Sequence, residues 1–170
     1  SAVGVDEILQ RTGISRCSFY YYFKTKEGFG AELIDRYRLS ITQKLERCLS
    51  DTSLSPLGSL RAFVGEVRDE MARTDCRSGC LAGKLAQEVN TLPENFREQL
   101  SAVFAEWQDV FARGLKRAQE TGEISPELDC ASTAAFFWYG WEGALQRANL
   151  ELNIKPVDIF IGNFFSRLTG

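Results

Sequence analysis

Histidine is missing from all 170 residues, which removes histidine-based general bases, catalytic triads and histidine zinc ligands together. No apolar run reaches the roughly 18 residues that a bilayer span requires, and the start lacks the charged and apolar regions of a signal peptide. Those two absences predict a soluble, cytoplasmic chain with no membrane partner. Cysteine is present but unpatterned: Cys17, Cys48, Cys76, Cys80 and Cys130 are odd in number and show no C-x-x-C spacing. Reduced thiols are expected, with no metal site, no cofactor motif and no catalytic set. Cys76 and Cys80 are four apart, a redox pair only if the loop between them bends. Strand-like alternation, internal repeats and low-complexity tracts are also lacking. The net charge of −3 argues against indiscriminate coating of nucleic acid, so DNA binding has to be carried by a motif.

What is present is helical periodicity throughout. Val5, Ile8 and Leu9 recur at helical spacing, with Asp6 and Glu7 in the first turn, and Gly13 stops the run. Ser15 then caps a second short helix through Tyr22, with Phe19 and Tyr20 facing inward. Thr25 and Lys26-Glu27 open a long helix to Leu49, on which Phe29, Leu33, Tyr37, Ile41, Leu45 and Leu49 repeat every fourth residue. Pro56 opens a helix marked by Leu57, Leu60, Val64, Val67 and Met71, before a polar loop from Arg73 to Gly79. A shorter helix is predicted from Cys80 to Asn90. Another starts at Pro93, carries Phe96, Leu100, Val103, Trp107, Val110 and Gly114, and closes at Gly122. Asp129 to about Leu152 forms a nearly uncharged helix with a small-residue stripe of Gly140, Ala144 and Ala148. After Pro156, the residues Val157, Phe160, Ile161, Phe164, Phe165 and Leu168 make a stripe too wide for an exposed terminal helix, so a partner subunit is expected to cover it. The fold class is all-α.

The segment from Gly13 to Glu27 reads GISRCSFYYYFKTKE, two short helices joined by a tight turn. It resembles the helix-turn-helix of the TetR family of repressors, whose signature ends in a small residue, an aliphatic or aromatic, Tyr, two variable aromatics and Phe, followed by a Lys-Glu that opens the connecting helix. The resemblance implies a lobe over residues 1–25 that reads operator DNA, with a ligand-binding and dimerisation domain over 26–170. It places Ser15, Arg16, Ser18, Tyr20, Tyr21, Lys24 and Lys26 at the DNA. Arg16 and Tyr21 are the stronger base-contact candidates, and Phe19 and Phe23 anchor the lobe. Cys17 stands where relatives often have Gly and Tyr21 where they often have His, so no relative's operator transfers. The family also implies a first helix that begins before the position matching Val5. The alternative reading of Phe19 to Phe23 is a plain aromatic core.

The segments Gly79 to Leu85 and Phe137 to Leu145 look like those of the NemR and AcuR branch of that family. That likeness implies a small-molecule inducer, either a reactive electrophile met by a sensor cysteine at Cys80 or an acrylate-like acid. The lysine that some branch members place after the Trp-x-Gly-Ala segment falls at Asn149. From the residues themselves, Cys80 at a helix start near Arg77, with Lys84 one turn on, is expected to favour the thiolate. The alternative is an ordinary buried cysteine. Cys80, Lys84, Trp107, Trp138, Trp141 and Glu142 form the expected ligand pocket, with Lys84 pairing an acid. Competing functions are a thiol enzyme using Cys80 with Lys84 or Glu142, and a ligand-free dimerisation module.

Overall fold

The computed structural model describes residues 4–169. Residues 1–3 and Gly170, the outer ends of the two expected domains, lie outside the described residues. Eight α-helices follow one another with no strand among the described residues: α1 (Val5–Thr12), α2 (Arg16–Phe23), α3 (Lys26–Ser50), α4 (Pro56–Arg73), α5 (Leu81–Gln87), α6 (Glu94–Glu120), α7 (Cys130–Glu151) and α8 (Lys155–Leu168). A short 3₁₀ turn, Val89–Thr91, separates α5 from α6. No helix among the described residues is long and apolar enough to cross a membrane.

The boundaries have local causes. Gly13 closes α1 at φ 69°, a left-handed conformation suited to glycine, and its N–H bonds back to the Leu9 carbonyl. Ser15, Thr25, Ser55 and Asp129 each cap the helix that follows by accepting a backbone N–H, a contribution of about 1 kcal/mol apiece. The expected helix from Cys80 to Asn90 is shorter than its sequence pattern. Cys80 is the cap itself, α5 ends at Gln87, and tighter bonds from Glu88 N–H to Leu85 and from Thr91 N–H to Glu88 wind the remainder into the 3₁₀ turn.

The core lies between α3, α4, α6, α7 and α8. Trp107, Phe111 and Leu115 of α6 are fully buried, as are Phe63 of α4, Phe137 of α7 and Phe165 of α8; each such side chain contributes about 1.5–3 kcal/mol by leaving water. Phe111 and Phe137 stack 4.1 Å apart. Polar clamps fix how the helices lie: Glu106 of α6 accepts from Arg38 and Thr42 of α3, both at 2.7 Å, and Asp158 of α8 takes both arms of Arg68 of α4.

The terminal helix departs from expectation. Val157, Phe164, Phe165 and Leu168 of α8 are buried within their own chain, and Phe160 packs on Phe137 and Trp141. The stripe is wide because α8 serves α4, α6 and α7 at once. Gly140 is part of the same fit, since a methyl there would overlap the Phe160 ring; Ala144 and Ala148 are likewise buried inside the chain. On these two helices the large apolar side chains left exposed are Phe136, Tyr139 and Leu150 of α7 and Ile159 of α8.

Candidate functional site

At the N-terminal end, α2 stands on the start of α3 through one aromatic knot, and α1 packs against α2. Phe19 is buried, with Phe23 and Phe29 rings at 5.2 and 5.4 Å. That knot leaves the rest of α2 outward. Ser15, Arg16, Ser18, Tyr20, Tyr21, Lys24 and Lys26 are all exposed, and Tyr21 reaches 77% exposure, the stance of a contact residue rather than a core one. Tyr20, expected on the inward face, is 40% exposed. The aromatic run therefore divides between anchor and surface, and the plain-core alternative fails for its middle. Ser15 is already engaged as the α2 cap, accepting from Ser18 N–H at 3.1 Å. Arg16 is ion-paired with Asp6 of α1 through Nη2 alone, one arm of a guanidinium that carries five N–H donors.

A second site lies between α3, α4, α6 and α7. A chamber of about 280 Å³ is walled by Phe63, Val67, Met71, Trp107, Trp138 and Trp141, with Tyr37, Ser40 and Ile41 along its α3 side. Cys80 and Glu142 also line it, so five of the six expected pocket residues meet there. Lys84 does not. It lines a neighbouring outer cleft of about 430 Å³ that shares Gly79, Cys80, Glu142 and Leu145 with the chamber. Lys84 is exposed, its chain lying over Gly79. The charged pair at the chamber proper is Lys44 of α3 with Glu70 of α4.

Two polar atoms in the chamber wall lack any partner, Trp138 Nε1 and Glu142 Oε1, and both are buried. They are four apart on α7 and so share one helix face. By contrast, Trp107 Nε1 is taken by the Arg38 carbonyl of α3 at 3.5 Å. Burial raises the Glu142 carboxyl from its ordinary 4.5 to about 7, partly offset by a hydrogen bond from Cys80. The other oxygen of Glu142 occupies the space that a methyl at Gly83 would need.

Cys80 disagrees with the expected thiolate. Its Sγ does accept the Gly83 N–H at the start of α5, at 3.3 Å. Burial and the facing Glu142 carboxylate nevertheless push the thiol well up, outweighing that N–H and a hydrogen bond from Tyr37. Tyr37 is pushed up as well, by burial first and then by Cys80. The thiol is therefore protonated and weakly nucleophilic at neutral pH. All five cysteines are free, Cys76 and Cys80 included. Asn149 Nδ2 holds the loop before α5 by donating to the Cys76 and Ser78 carbonyls at 2.8 and 3.1 Å.

This arrangement has close relatives. A family model described as bacterial regulatory proteins, tetR family, matches residues 1–33, and one described as tetracyclin repressor-like, C-terminal domain, matches residues 56–164. The chain belongs to the TetR family. Transcriptional regulator AcuR of Cereibacter sphaeroides is 43% identical over 164 residues, covering 96% of this chain and 75% of that protein. The HTH-type transcriptional repressor DhaR of a Mycobacterium species is 27% identical over 168 residues, covering 99% and 83%. Among solved structures, regulatory protein TetR from Rhodobacter sphaeroides superposes with a TM-score of 0.92 at 42% identity, over 95% of this chain and 86% of that one. Reduced Escherichia coli NemR, 22% identical, shares the fold with a TM-score of 0.84 over 95% and 83%.

Within this TetR-family chain, sequence reasoning missed Tyr37, Ser40, Lys44, Glu70, Thr74 and Ser78 as chamber residues. Tyr37 sits on the four-residue apolar step of α3 and reads there as core. Thr74 and Ser78 fall in a polar loop without periodicity, which gives no sign of the side it faces.

Proposed function

We propose that the chain is a ligand-responsive transcriptional repressor. It binds a palindromic operator as a homodimer in the cytoplasm through its lobe at residues 1–25, with Ser15, Arg16, Ser18, Tyr20, Tyr21, Lys24 and Lys26 at the DNA. Residues 26–170 dimerise and receive a small inducer. The observation that carries this reading is the continuity of α3. One helix begins at Lys26, beside the exposed face of α2, and runs to the chamber, where Tyr37, Ser40, Ile41 and Lys44 contribute to the wall. A molecule that prefers one position of Tyr37 thereby prefers one position of the lobe. A coupling of roughly 1–3 kcal/mol weakens operator binding about 5- to 150-fold.

Cys80, Trp107, Trp138, Trp141 and Glu142 receive the inducer, with Lys84 at the outer cleft. Of the two inducer classes, an acrylate-like acid held without a covalent bond fits a thiol pushed up by its surroundings better than an electrophile does. The same shift weighs against a thiol enzyme. The dimer face runs along the uncovered side of α7 and α8, at Phe136, Tyr139 and Ile159.

The test is an electrophoretic shift with the DNA upstream of the protein's own gene, repeated with acrylate. Retarded DNA released by acrylate is the expected result. DNA that is never retarded, or a chain that turns over substrate without binding DNA, overturns the proposal.

A further inference from the structure

The segment 74–79 stands where the two cavities meet. Thr74, Ser78 and Gly79 line the chamber, and Gly79 with the following Cys80 lines the outer cleft as well. The segment is wound into one closed turn: Arg77 N–H donates to the Thr74 carbonyl at 2.9 Å, and the Thr74 and Ser78 hydroxyls meet at 2.6 Å. Such a turn moves as a unit. Among the described residues, its other hydrogen bonds run to two places. On one side the N–H groups of Thr74, Asp75 and Cys76 bond back to Met71 and Ala72, in the last turn of α4. On the other side Asn149 of α7 alone holds it, donating to the Cys76 and Ser78 carbonyls at 2.8 and 3.1 Å.

The turn is also held against its own preference. Asp75 and Cys76 stand in succession at φ 48° and 57°, the left-handed region that residues with a Cβ seldom occupy, and such a pair persists only where the surroundings impose it. The Cys76 side chain is seated in the core, 4% exposed. Continuous chain and short bonds join the turn to α4, while a single side chain joins it to α7. The first is the form of a hinge and the second that of a latch.

We propose that residues 74–79 are a latched strap between the chamber and the outer cleft. Asn149 holds the strap shut, and release of that one side chain lifts Cys76 from the core and joins the two cavities into one passage. Use of the passage by an inducer rests on the reading of the chamber as the inducer site. The latch does not, and its test needs neither ligand nor DNA.

A buried thiol reacts only while it is exposed, so N-ethylmaleimide labelling of the intact protein, read by peptide mass mapping, follows the open fraction at each cysteine. Cys76 lies in the strap and Cys80 at its end. Cys48 is similarly buried, faces Glu66 of α4 and lines neither of the two cavities. In the wild type, low urea is expected to leave the Cys76 rate nearly flat, because a local opening exposes little surface, and to raise the Cys48 rate steeply. Asn149→Ala is expected to speed Cys76 labelling about 30-fold, the net worth of two hydrogen bonds, and to keep it flat in low urea. Cys80 is expected to gain by the same factor. A Cys76 rate that climbs with urea in parallel with Cys48 means exposure by global unfolding and overturns the proposal. So does a Cys76 rate that Asn149→Ala leaves unchanged, or a gain at Cys76 that Cys80 does not share. A chain that binds no operator leaves every one of these expectations standing.

Discussion

Glu142→Gln in the ligand-free protein tests the chamber electrostatics without any knowledge of the inducer. The Glu142 carboxyl lies at about 7 in the folded chain against an ordinary 4.5. Below about pH 4.5 both states hold the proton and the position costs nothing. Between 4.5 and 7 the unfolded chain releases its proton while the folded chain keeps it, so stability falls as pH rises; above 7 the loss is complete. A gap of about 2.5 pH units at about 1.4 kcal/mol each amounts to roughly 3 kcal/mol. Glutamine occupies the same space and cannot ionise. The variant is therefore expected to melt close to wild type at pH 5 and about 6–12 °C above it at pH 8, taking 2–4 °C per kcal/mol for a domain of this size. Differential scanning calorimetry across pH 5 to 8 reads this directly. A difference in Tm that is the same at every pH would refute the assignment of a buried, uncompensated carboxyl.

Phe136→Glu or Tyr139→Glu on the open face of α7 is expected to give a folded monomer by light scattering, whereas Phe164→Ala, inside the chain, loses about 3–5 kcal/mol of stability; a persistent dimer after both surface changes contradicts the proposed face. Lys26→Ala is expected to weaken operator binding and lower the slope of log affinity against log salt by about 0.9, measured by fluorescence anisotropy; an unchanged slope removes its phosphate role. N-ethylmaleimide at pH 7.5 is expected to label the exposed Cys17 well before Cys80, as read by peptide mass mapping, and faster labelling of Cys80 would restore the activated-thiol reading.

How much of this was legible in the sequence depended on how local its cause was. The start of α3 at Thr25 and Lys26 was readable because the cap lies within the helix. Its apolar step held at Leu45 and Leu49 but not at Leu33, which is exposed while Ile34 is buried, because a strict four-residue step drifts off a 3.6-residue face. Most of the exposed run of α2 was readable too, because the family signature and the Ser15 cap are contiguous, although the helix pattern had placed Tyr20 inward. The convergence of three tryptophans with Cys80 and Glu142 was also anticipated. The direction of the Cys80 shift was not, because a helix start and a nearby lysine are visible along the chain while burial and a carboxylate from α7 are not. The stripe of α8 showed its width but not what covers it, since Phe160 and Phe164 meet α6 and α7 of the same chain. The end of α5 carried no glycine or proline to mark it.

Gly83 touches neither the DNA face nor the aromatic walls, yet it governs the chemistry of the chamber. The carboxyl of Glu142 rests where any other residue at that position would put its first carbon. Adding a single methyl on α5 forces the acid from its seat and changes the charge that an incoming molecule meets, while every wall residue stays as it was. If the chamber is the inducer site proposed above, a new inducer does not require a rebuilt pocket. The chemical taste of the chamber is set from behind its wall, by one hydrogen atom that leaves room for an acid.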